Sequence, residues 1–320
     1  MKEHKVKLAI LKQLSAGGFH SGEELGQEFG VSRAAISKHI KGIQQWGVDI
    51  FRIQGKGYQL AAPMQLLDES ILKAKTHKPL ELIPIIDSTN QYLLERTEQL
   101  ESGTVCIAEY QGKGRGRRGR EWISPFGSNL YLSVFWRLDA GMAAAMGLSI
   151  VVGVAIVEAL QAFGIQGVKL KWPNDLYYQD RKLAGILVEM SGQAGGAANL
   201  VIGMGINLRM AEQTAGITQP WTSVGEILGE QNFDRNLLAV ELVNAIHQAL
   251  DDYELHGMSH FVERWNPLDN YLGRKVKLIM GNREIEGIER GINEQGAVLL
   301  ETKQGIEAFI GGEISLRGQA

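Results

Sequence analysis

One cysteine, seven prolines and seven histidines in 320 residues leave several chemistries without their raw material. A single thiol, Cys106, excludes an intramolecular disulfide framework and a thiolate-rich zinc site, and it fits a reducing compartment. The histidines form no metal-ligand cluster, and no Ser/His/Asp arrangement stands out. Charge of one sign is missing too. With 33 Lys and Arg against 36 Asp and Glu, the net charge is −3, which excludes a uniformly basic nucleic-acid binder but not a local basic element. Long apolar runs are scarce. The uncharged stretch Ala140–Val157 comes nearest to a membrane span, yet its Ala and Gly content and its continuation through Glu158 read as a buried helix inside a domain. The lysine-spaced start, Met1–Ile10, lacks the apolar centre of a secretory signal, so a cytoplasmic protein is expected.

What is present divides into three segments. At 44% hydrophobic and 22% charged, the chain is globular and long enough for two or three domains. Residues 1–60 hold nine Lys and Arg against five acids, a net +4, so the remainder sums to −7. This basic segment reads as three short helices and a hairpin. Leu8, Leu11 and Leu14 share one helical face, closed by Gly17-Gly18. Ser21 stands three residues before Glu24, a capping-box spacing. Ser32 caps a third helix in which Ile36, Ile40 and Ile43 fall at i, i+4 and i+7, leaving Arg33, Ala34, Ser37, Lys38 and Lys41 on the other side. A helix start that is small, polar and cationic suits a DNA major groove. Val48–Ile53 and Gly57–Leu60 form a wing whose Lys56 can reach a phosphate. The same pattern also describes a small helical interaction module with a solvated cationic face. Ala61-Ala62-Pro63 marks its boundary.

Between Leu80 and about Tyr271, strand-like and helical patterns alternate as in a mixed α/β layer fold. Strands are expected at Leu82–Ile86, Thr104–Tyr110, Asn129–Trp136, Val168–Trp172, Leu183–Met190 and Leu200–Leu208. Helices are expected at Ser88–Arg96, Ala143–Phe163 and Asn236–His256. Beyond Arg274, four short strand patterns broken by Gly and Asn turns suggest a small β-barrel.

Candidate chemistry gathers in the central segment. Gln111–Arg120 carries five cations and four glycines in ten residues. Arginine forks match phosphate oxygens, and glycines let backbone N–H groups approach an anion. A weakly RNA-binding basic tract has this composition as well, but here it lies between two apolar strands. Lys171-Trp172-Pro173-Asn174-Asp175 joins a strand end to a turn. Lys182 opens an apolar strand and, out of context, reads first as a solvated flank. Ser88-Thr89-Asn90 offers hydroxyl and amide groups at a strand-to-helix junction, where an N-cap is the simpler role. Gly203-Met204-Gly205-Ile206-Asn207 interrupts an apolar strand with two glycines, which invites close approach of a ligand or another backbone.

Asp87–Asn90, Gly114–Arg120, Lys171–Asp175 and Lys182–Leu187 follow the order seen in biotin–protein ligases. With a winged helix before them and a small barrel after, the chain resembles the bacterial biotin–protein ligases that also repress the biotin operon, over essentially its full length. The resemblance implies an α+β protein in three parts: a winged helix-turn-helix domain at 1–62, a class II synthetase-like ligase domain at 63–271 and an SH3-like barrel at 272–320. It implies biotin, ATP and Mg²⁺ as ligands and biotinyl-5′-AMP as intermediate and corepressor. The implied partners are a biotin carboxyl carrier protein, the biotin operator DNA and a second copy of the chain. On the same basis Ser88, Thr89, Asn90, Gln111, Arg115, Gly116, Arg117 and Lys182 would meet biotin. Arg117, Arg118, Arg120, Lys171, Asn174, Asp175, Asn207 and Trp221 (the last in the loop Ala211–Gly225) would meet ATP or the adenylate. Lys182, Arg117 and Arg115 would carry the catalytic charge, and Ser21, Ser32, Arg33, Ala34, Ser37, Lys38, Lys41 and Lys56 would face DNA. The alternatives are a lipoate–protein ligase, which shares the central domain and acyl-adenylate chemistry, and a biotin-sensing repressor without ligase activity.

Overall fold

A computed structural model describes residues 4–145, 147–192, 196–210, 216–229, 232–310 and 314–318. The N-terminal module is built as its caps and periodicity require. Helix α1 (Lys5–Ser15), α2 (Gly22–Phe29) and α3 (Arg33–Gln44) are followed by strands β1 (Ile50–Ile53) and β2 (Gly57–Leu60), paired antiparallel. Ser21 and Glu24 form the reciprocal capping box on α2, and Ser32 accepts the Ala35 N–H at the start of α3. Ile36, Ile40 and Ile43 are buried against Leu11, Leu14 and Leu25, so the polar side of α3 faces out.

The module is seated on the rest of the chain. Trp46, just past α3, stacks on Phe126 at 5.8 Å between ring centroids, and its carbonyl accepts the Phe126 N–H (2.8 Å). The connecting segment is pinned from the other side by a buried ion pair. Arg235 Nη2 meets Glu109 Oε2 at 2.8 Å, while Glu109 Oε1 accepts the Leu67 N–H and Arg235 Nη1 donates to the Gln65 carbonyl. Removing either partner would leave a buried charge alone, a cost of roughly 3–5 kcal/mol.

The central part contains α4 (Glu69–Lys75), β3 (Leu80–Leu82), β4 (Ile85–Ile86), α5 (Thr89–Leu94), β5 (Val105–Ala108), β6 (Tyr110–Gln111) and β7 (Asn129–Leu138). It continues with α6 (Leu148–Ala162), β8 (Lys169–Lys171), β9 (Asp175–Tyr178), β10 (Arg181–Gly192), β11 (Ala198–Asn207), α7 (Val224–Leu228), α8 (Arg235–His256) and α9 (Ser259–Trp265). Seven strands form one sheet in the order β3-β5-β7-β11-β10-β9-β8, antiparallel except for β3 beside β5. Successive residues of a strand point to opposite faces. On β7 and β11 the even-numbered residues, such as Leu132, Val134, Ile202 and Met204, join the core formed with α6, α8 and α9. Phe135 and Val201, both odd-numbered, pack with Leu93 of α5 instead. A strand covered on both sides reads as a continuous apolar run, as Asn129–Trp136 does.

Several expected boundaries shift for identifiable reasons. Pro84 splits the strand expected at Leu82–Ile86 into β3 and β4. The helix expected from Ala143 begins at Leu148, because Gly147 takes φ +91° and separates it from a 3-10 turn at Met142–Ala145. Asp175, expected in a turn, opens β9, reached from β8 through a cis Trp172–Pro173 peptide.

The C-terminal part has β12 (Lys275–Met280), β13 (Arg283–Ile292), β14 (Val298–Thr302), β15 (Gly305–Phe309) and β16 (Ile314–Gly318), antiparallel in the order β15-β14-β13-β12-β16. The four expected strands are present, and β16 is a fifth that pairs with β12. Among the described residues no helix is long and apolar enough to cross a membrane, the run at Ala140–Val157 included.

Glu289 of β13 is fully buried beside Asp269, whose oxygens already accept from the Trp265 indole N–H (3.1 Å) and the Tyr271 N–H (2.9 Å). Burial first, and the Asp269 carboxylate second, push the Glu289 carboxyl far above the ordinary glutamate range, with Arg274 pulling the other way. The folded chain therefore keeps a proton that the unfolded chain releases above about pH 4.5. Stability at this position falls as pH rises beyond that point, by about 1.4 kcal/mol per pH unit. Glu289→Gln, which mimics the protonated form, is expected to raise the urea midpoint more at pH 8 than at pH 5. An equal shift at both would mean that Glu289 is ionised in the fold.

Candidate functional site

The cleft lies on the odd-numbered face of the sheet, opposite the helix layer. In register across three strands, Ser133 of β7 faces Gly203 of β11, which faces Leu187 of β10; beside them Gly205 faces Gly185. The glycines leave the floor bare, and other groups settle on it. A Cβ on Gly203 would collide with the Asn90 amide, and one on Gly205 with the Trp122 indole. The close approach invited by the two glycines is made by the first turn of α5 and by the segment after the arginine loop.

At one end, polar groups are tied in a chain. Ser88 caps α5 by accepting the Gln91 N–H. Thr89 Oγ1 lies 2.7 Å from Ser133 Oγ and 3.2 Å from Gln111 Oε1, and Gln111 Nε2 donates to Ser124 Oγ (3.1 Å). Asn90 is saturated: Ser133 Oγ donates to its carbonyl oxygen, and its amide nitrogen donates to Leu187 O and to Glu189 Oε2. It shapes the cleft wall and leaves Thr89 and Gln111 on the cleft side.

The Gly/Arg loop folds back on itself. Gly116 N–H bonds to the Arg120 carbonyl, Trp122 N–H to the Gly114 carbonyl, and Arg118 (φ 58°) with Gly119 (φ 70°) makes the tip. A Cβ on Gly114 would strike the Trp122 carbonyl, so the glycine lets the two arms close. Arg117 Nη1 donates to Asn174 Oδ1 (3.1 Å), and Arg115 pairs with Glu189 (2.8 Å). Burial lowers the Arg117 guanidinium from its usual value; Asp175 opposes this, while Arg118 and Arg120 add to it. Arg118 and Arg120 are exposed and line the mouth of the cleft.

Lys182 is placed by an irregularity. By alternation it would share the helix face with Ala184 and Ile186, but the β9–β10 register shifts between Lys182 and Ala184. The bulge turns its side chain toward the cleft, where the ammonium sits 2.8 Å from Asp175 and 5.4 Å from the centre of the Trp122 ring. Two chambers meet here. The first, about 1050 Å³ including its open mouth, is lined by Thr89, Gln111, Gly116, Arg117, Asn174 and Lys182 among others. The second, about 1860 Å³ on the same measure, is lined by Asn207, Trp221, Lys171 and Tyr177. Lys182, Lys171 and Trp122 border both. Trp221 is held beside Lys182 by backbone bonds on both sides of that lysine, and the Asn207 amide donates to the Thr222 carbonyl. Residues 211–215 of its loop lie outside the described residues.

All the ligand-site residues expected from the sequence thus line one continuous cleft. Sequence reasoning missed Trp122, Ser124, Ser133 and Glu189. A lone polar residue inside an apolar strand run was the available signal for Ser133 and Glu189. Trp122 carries another mark: its indole N–H is buried without a partner among the described residues.

The second candidate surface is the outer side of α3. Arg33, Ala34, Lys38 and Lys41 are exposed and Ser37 half-buried, whereas Ser21 and Ser32 spend their hydroxyls on helix caps. Lys56 stands exposed at the wing turn, 5.6 Å from the centre of the Phe19 ring.

Residues 6–59 match an HTH domain, 82–207 the biotin/lipoate A/B protein ligase family and 271–317 the biotin protein ligase C-terminal domain. The chain is 52% identical to the bifunctional ligase/repressor BirA of Escherichia coli K12, spanning 99% of each. It is 30% identical to the biotin–[acetyl-CoA-carboxylase] ligase of Paracoccus denitrificans, over 72% of this chain and 98% of that one. The solved biotin protein ligase of Aquifex aeolicus in complex with biotin and ATP is similar at a TM-score of 0.66 and 32% identity, covering 76% of this chain and 100% of that one.

The bare floor yields a direct test. Gly203→Ala is expected to displace Asn90 and Thr89, with a stability loss of about 1–3 kcal/mol from overpacking. Small-molecule binding in the cleft, read by titration calorimetry, should fall further than the stability loss accounts for. Undiminished binding would show that the α5 turn does not shape the site.

Proposed function

The chain belongs to the family of bifunctional biotin–protein ligases and biotin-operon repressors, and on that premise we propose how its cleft and its winged helix divide the work. The protein activates biotin with ATP to biotinyl-5′-AMP and transfers the biotinyl group to a lysine of a biotin carboxyl carrier protein. As a dimer holding that adenylate, it binds the biotin operator. The observation that carries this reading is the pair of chambers sharing Lys182, with Arg117 lining the first of them on Asn174. One chamber suits biotin and the other the adenine nucleotide.

Thr89 and Gln111 take the ureido end of biotin, supported by Ser88 and Asn90, and the thiophane ring lies beside the Trp122 indole that covers Gly205. The Trp122 indole N–H, without a partner among the described residues, donates to the ligand. Trp221 packs on adenine with Asn207 beside it, and Lys171, Asn174, Arg118 and Arg120 surround the phosphates. Mg²⁺ arrives with ATP as part of the substrate.

The chemical difficulty is electrostatic, because a carboxylate and a triphosphate repel each other. The carboxylate oxygen attacks the α-phosphorus, a mixed anhydride forms and pyrophosphate leaves. The acceptor amine then attacks the acyl carbon, forming the amide and releasing AMP and a proton. Lys182 and Arg117 offset the repulsion and stabilise charge on the five-coordinate phosphorus, so catalysis is mainly positioning and electrostatics. In the ligand-free site their cations rest on Asp175 and Asn174, groups that can give them up without rebuilding the fold.

The exposed side of α3 enters the operator's major groove, with Arg33, Ser37 and Lys38 at the bases and Lys41 and Lys56 at phosphates. Two copies meet two half-sites of a palindrome. Ligand-ordered loop residues lower the cost of pairing, which makes the adenylate a corepressor.

The deciding experiment is biotin-dependent ATP–pyrophosphate exchange, with lipoate and octanoate as controls. Exchange with biotin alone is expected. Exchange with lipoate alone would move the chain to the neighbouring ligases, and silence with all three would favour a sensor without ligase activity. Lys182→Ala should lower exchange by roughly 10²–10³, as loss of one transition-state contact does, with the fold intact. Near-normal turnover in that variant would remove Lys182 from the mechanism. Arg117→Gly should let adenylate escape and label unrelated lysines, which unchanged acceptor selectivity would contradict.

A further inference from the structure

The turn between β8 and β9 is held by three different elements. The Trp172 indole N–H donates to the Gly296 carbonyl at 3.0 Å, and Ser149 Oγ of α6 donates to the Pro173 carbonyl at 3.0 Å. The Ile186 N–H of β10 donates to the Asn174 carbonyl at 2.9 Å. The first of these bonds reaches across 124 positions into the C-terminal barrel. Gly296 belongs to the turn between β13 and β14, which is tightly built. Asn293 Oδ1 accepts the N–H groups of Gln295 and Ala297, both at 3.0 Å, and the Asn293 carbonyl accepts the Gly296 N–H at 2.8 Å. Gly296 takes φ +73°, and a Cβ there would press on Ile150 of α6 at 3.0 Å, so the position calls for glycine. The barrel turn thus aims a carbonyl at a tryptophan that is 1% exposed.

We propose that Trp172 is a positioning residue, through which the C-terminal barrel fixes the phosphate side of the cleft. Its neighbours along the chain do the electrostatic work. Lys171 borders both chambers, Asn174 accepts from Arg117 Nη1 at 3.1 Å, and Asp175 meets the Lys182 ammonium at 2.8 Å. A shift of this turn moves four groups at once: Lys171 and Asn174 directly, Arg117 and Lys182 through the partners they rest on. A buried carbonyl or indole N–H that loses its partner is costly to leave unpaired, so the bond to Gly296 resists such a shift. Thr89 and Gln111 stand on α5 and β6, outside the turn, and are tied to Ser133 and Ser124 instead. Loss of the barrel contact therefore bears on phosphate chemistry and spares the biotin end. The assignment of the two ends rests on the function proposed above; the contact does not.

Two variants of the full-length chain break the contact from opposite sides. Trp172→Phe keeps a ring in place and deletes the N–H, whereas Asn293→Ala keeps Trp172 and loosens the turn that aims Gly296. In biotin-dependent ATP–pyrophosphate exchange, each should lower kcat roughly tenfold with the KM for biotin unchanged. The double variant should be no slower than Trp172→Phe alone, because both substitutions act through one bond. Leu278→Ala, in the buried core of the barrel on β12, should cost thermal stability and leave kcat in place. A readout without ligand is hydrogen exchange at the Trp172 indole N–H, the resonance missing from Trp172→Phe. It should quicken roughly tenfold in Asn293→Ala but not in Leu278→Ala. Unchanged kcat in Trp172→Phe would overturn the proposal. So would losses that multiply in the double variant, or a fall of kcat in Leu278→Ala equal to that in Asn293→Ala. Faster indole exchange in Asn293→Ala, in a chain that makes no biotin-dependent pyrophosphate exchange, would uphold the contact and overturn the biotin reading instead.

Discussion

Three glycines on one face of the central sheet set the shape of everything above it. Gly185 and Gly205 are paired across β10 and β11, with Gly203 two residues along, and together they leave a strip of sheet without side chains. Into that strip fit the amide of Asn90 and the ring of Trp122, groups that in turn place Thr89, Gln111 and the ammonium of Lys182 around an open space. The opposite face of the same strands is filled by Leu132, Val134, Ile202 and Met204 against the helices. A rigid, close-packed layer on one side supports the more open, polar cleft on the other. That is the condition for holding reacting groups to the fraction of an ångström that catalysis by positioning demands.

Charge is distributed to the same end. Lys182 borders both chambers and Arg117 lines the first, each resting on one of two adjacent residues, Asp175 at the start of β9 and Asn174 in the turn just before it. The turn is itself fixed, since the Asn174 amide donates to the Ile186 carbonyl and the Asn174 carbonyl accepts the Ile186 N–H. Cations held this way cost little to reorient when an anion arrives, which is how a preorganised site differs from a flexible basic tract.

The regulatory and catalytic parts share material. Trp122 borders the cleft, Ser124 bonds to Gln111, and Phe126 belongs to the core under the winged helix, all within one short segment. The helix-turn-helix module is therefore no bead on a string. It is packed against Phe126, four residues beyond the cleft-lining Trp122, and the buried Glu109–Arg235 pair holds the connecting segment from the other side.

Local signals carried a large part of this into the sequence. The capping box at Ser21 and Glu24, the Ile36–Ile40–Ile43 face, the apolar run at Asn129–Trp136 and the glycine-spaced arginines are properties of neighbours along the chain, and each has its expected local structure. Elements decided by distant partners were not legible. The strand β9 forms because β8 and β10 flank it, and β16 because β12 offers an edge. Glu189 and Ser133 gain their roles from residues more than 40 positions away, as does the protonated Glu289 from its burial. Lys182 draws the line most sharply. The sequence by itself determined that a lysine opens an apolar strand, and strict alternation would have turned it to the helix layer. The tertiary structure decided otherwise, because pairing with β9 inserts a bulge between Lys182 and Ala184 and rotates that one side chain to the face of the cleft, beside Asp175.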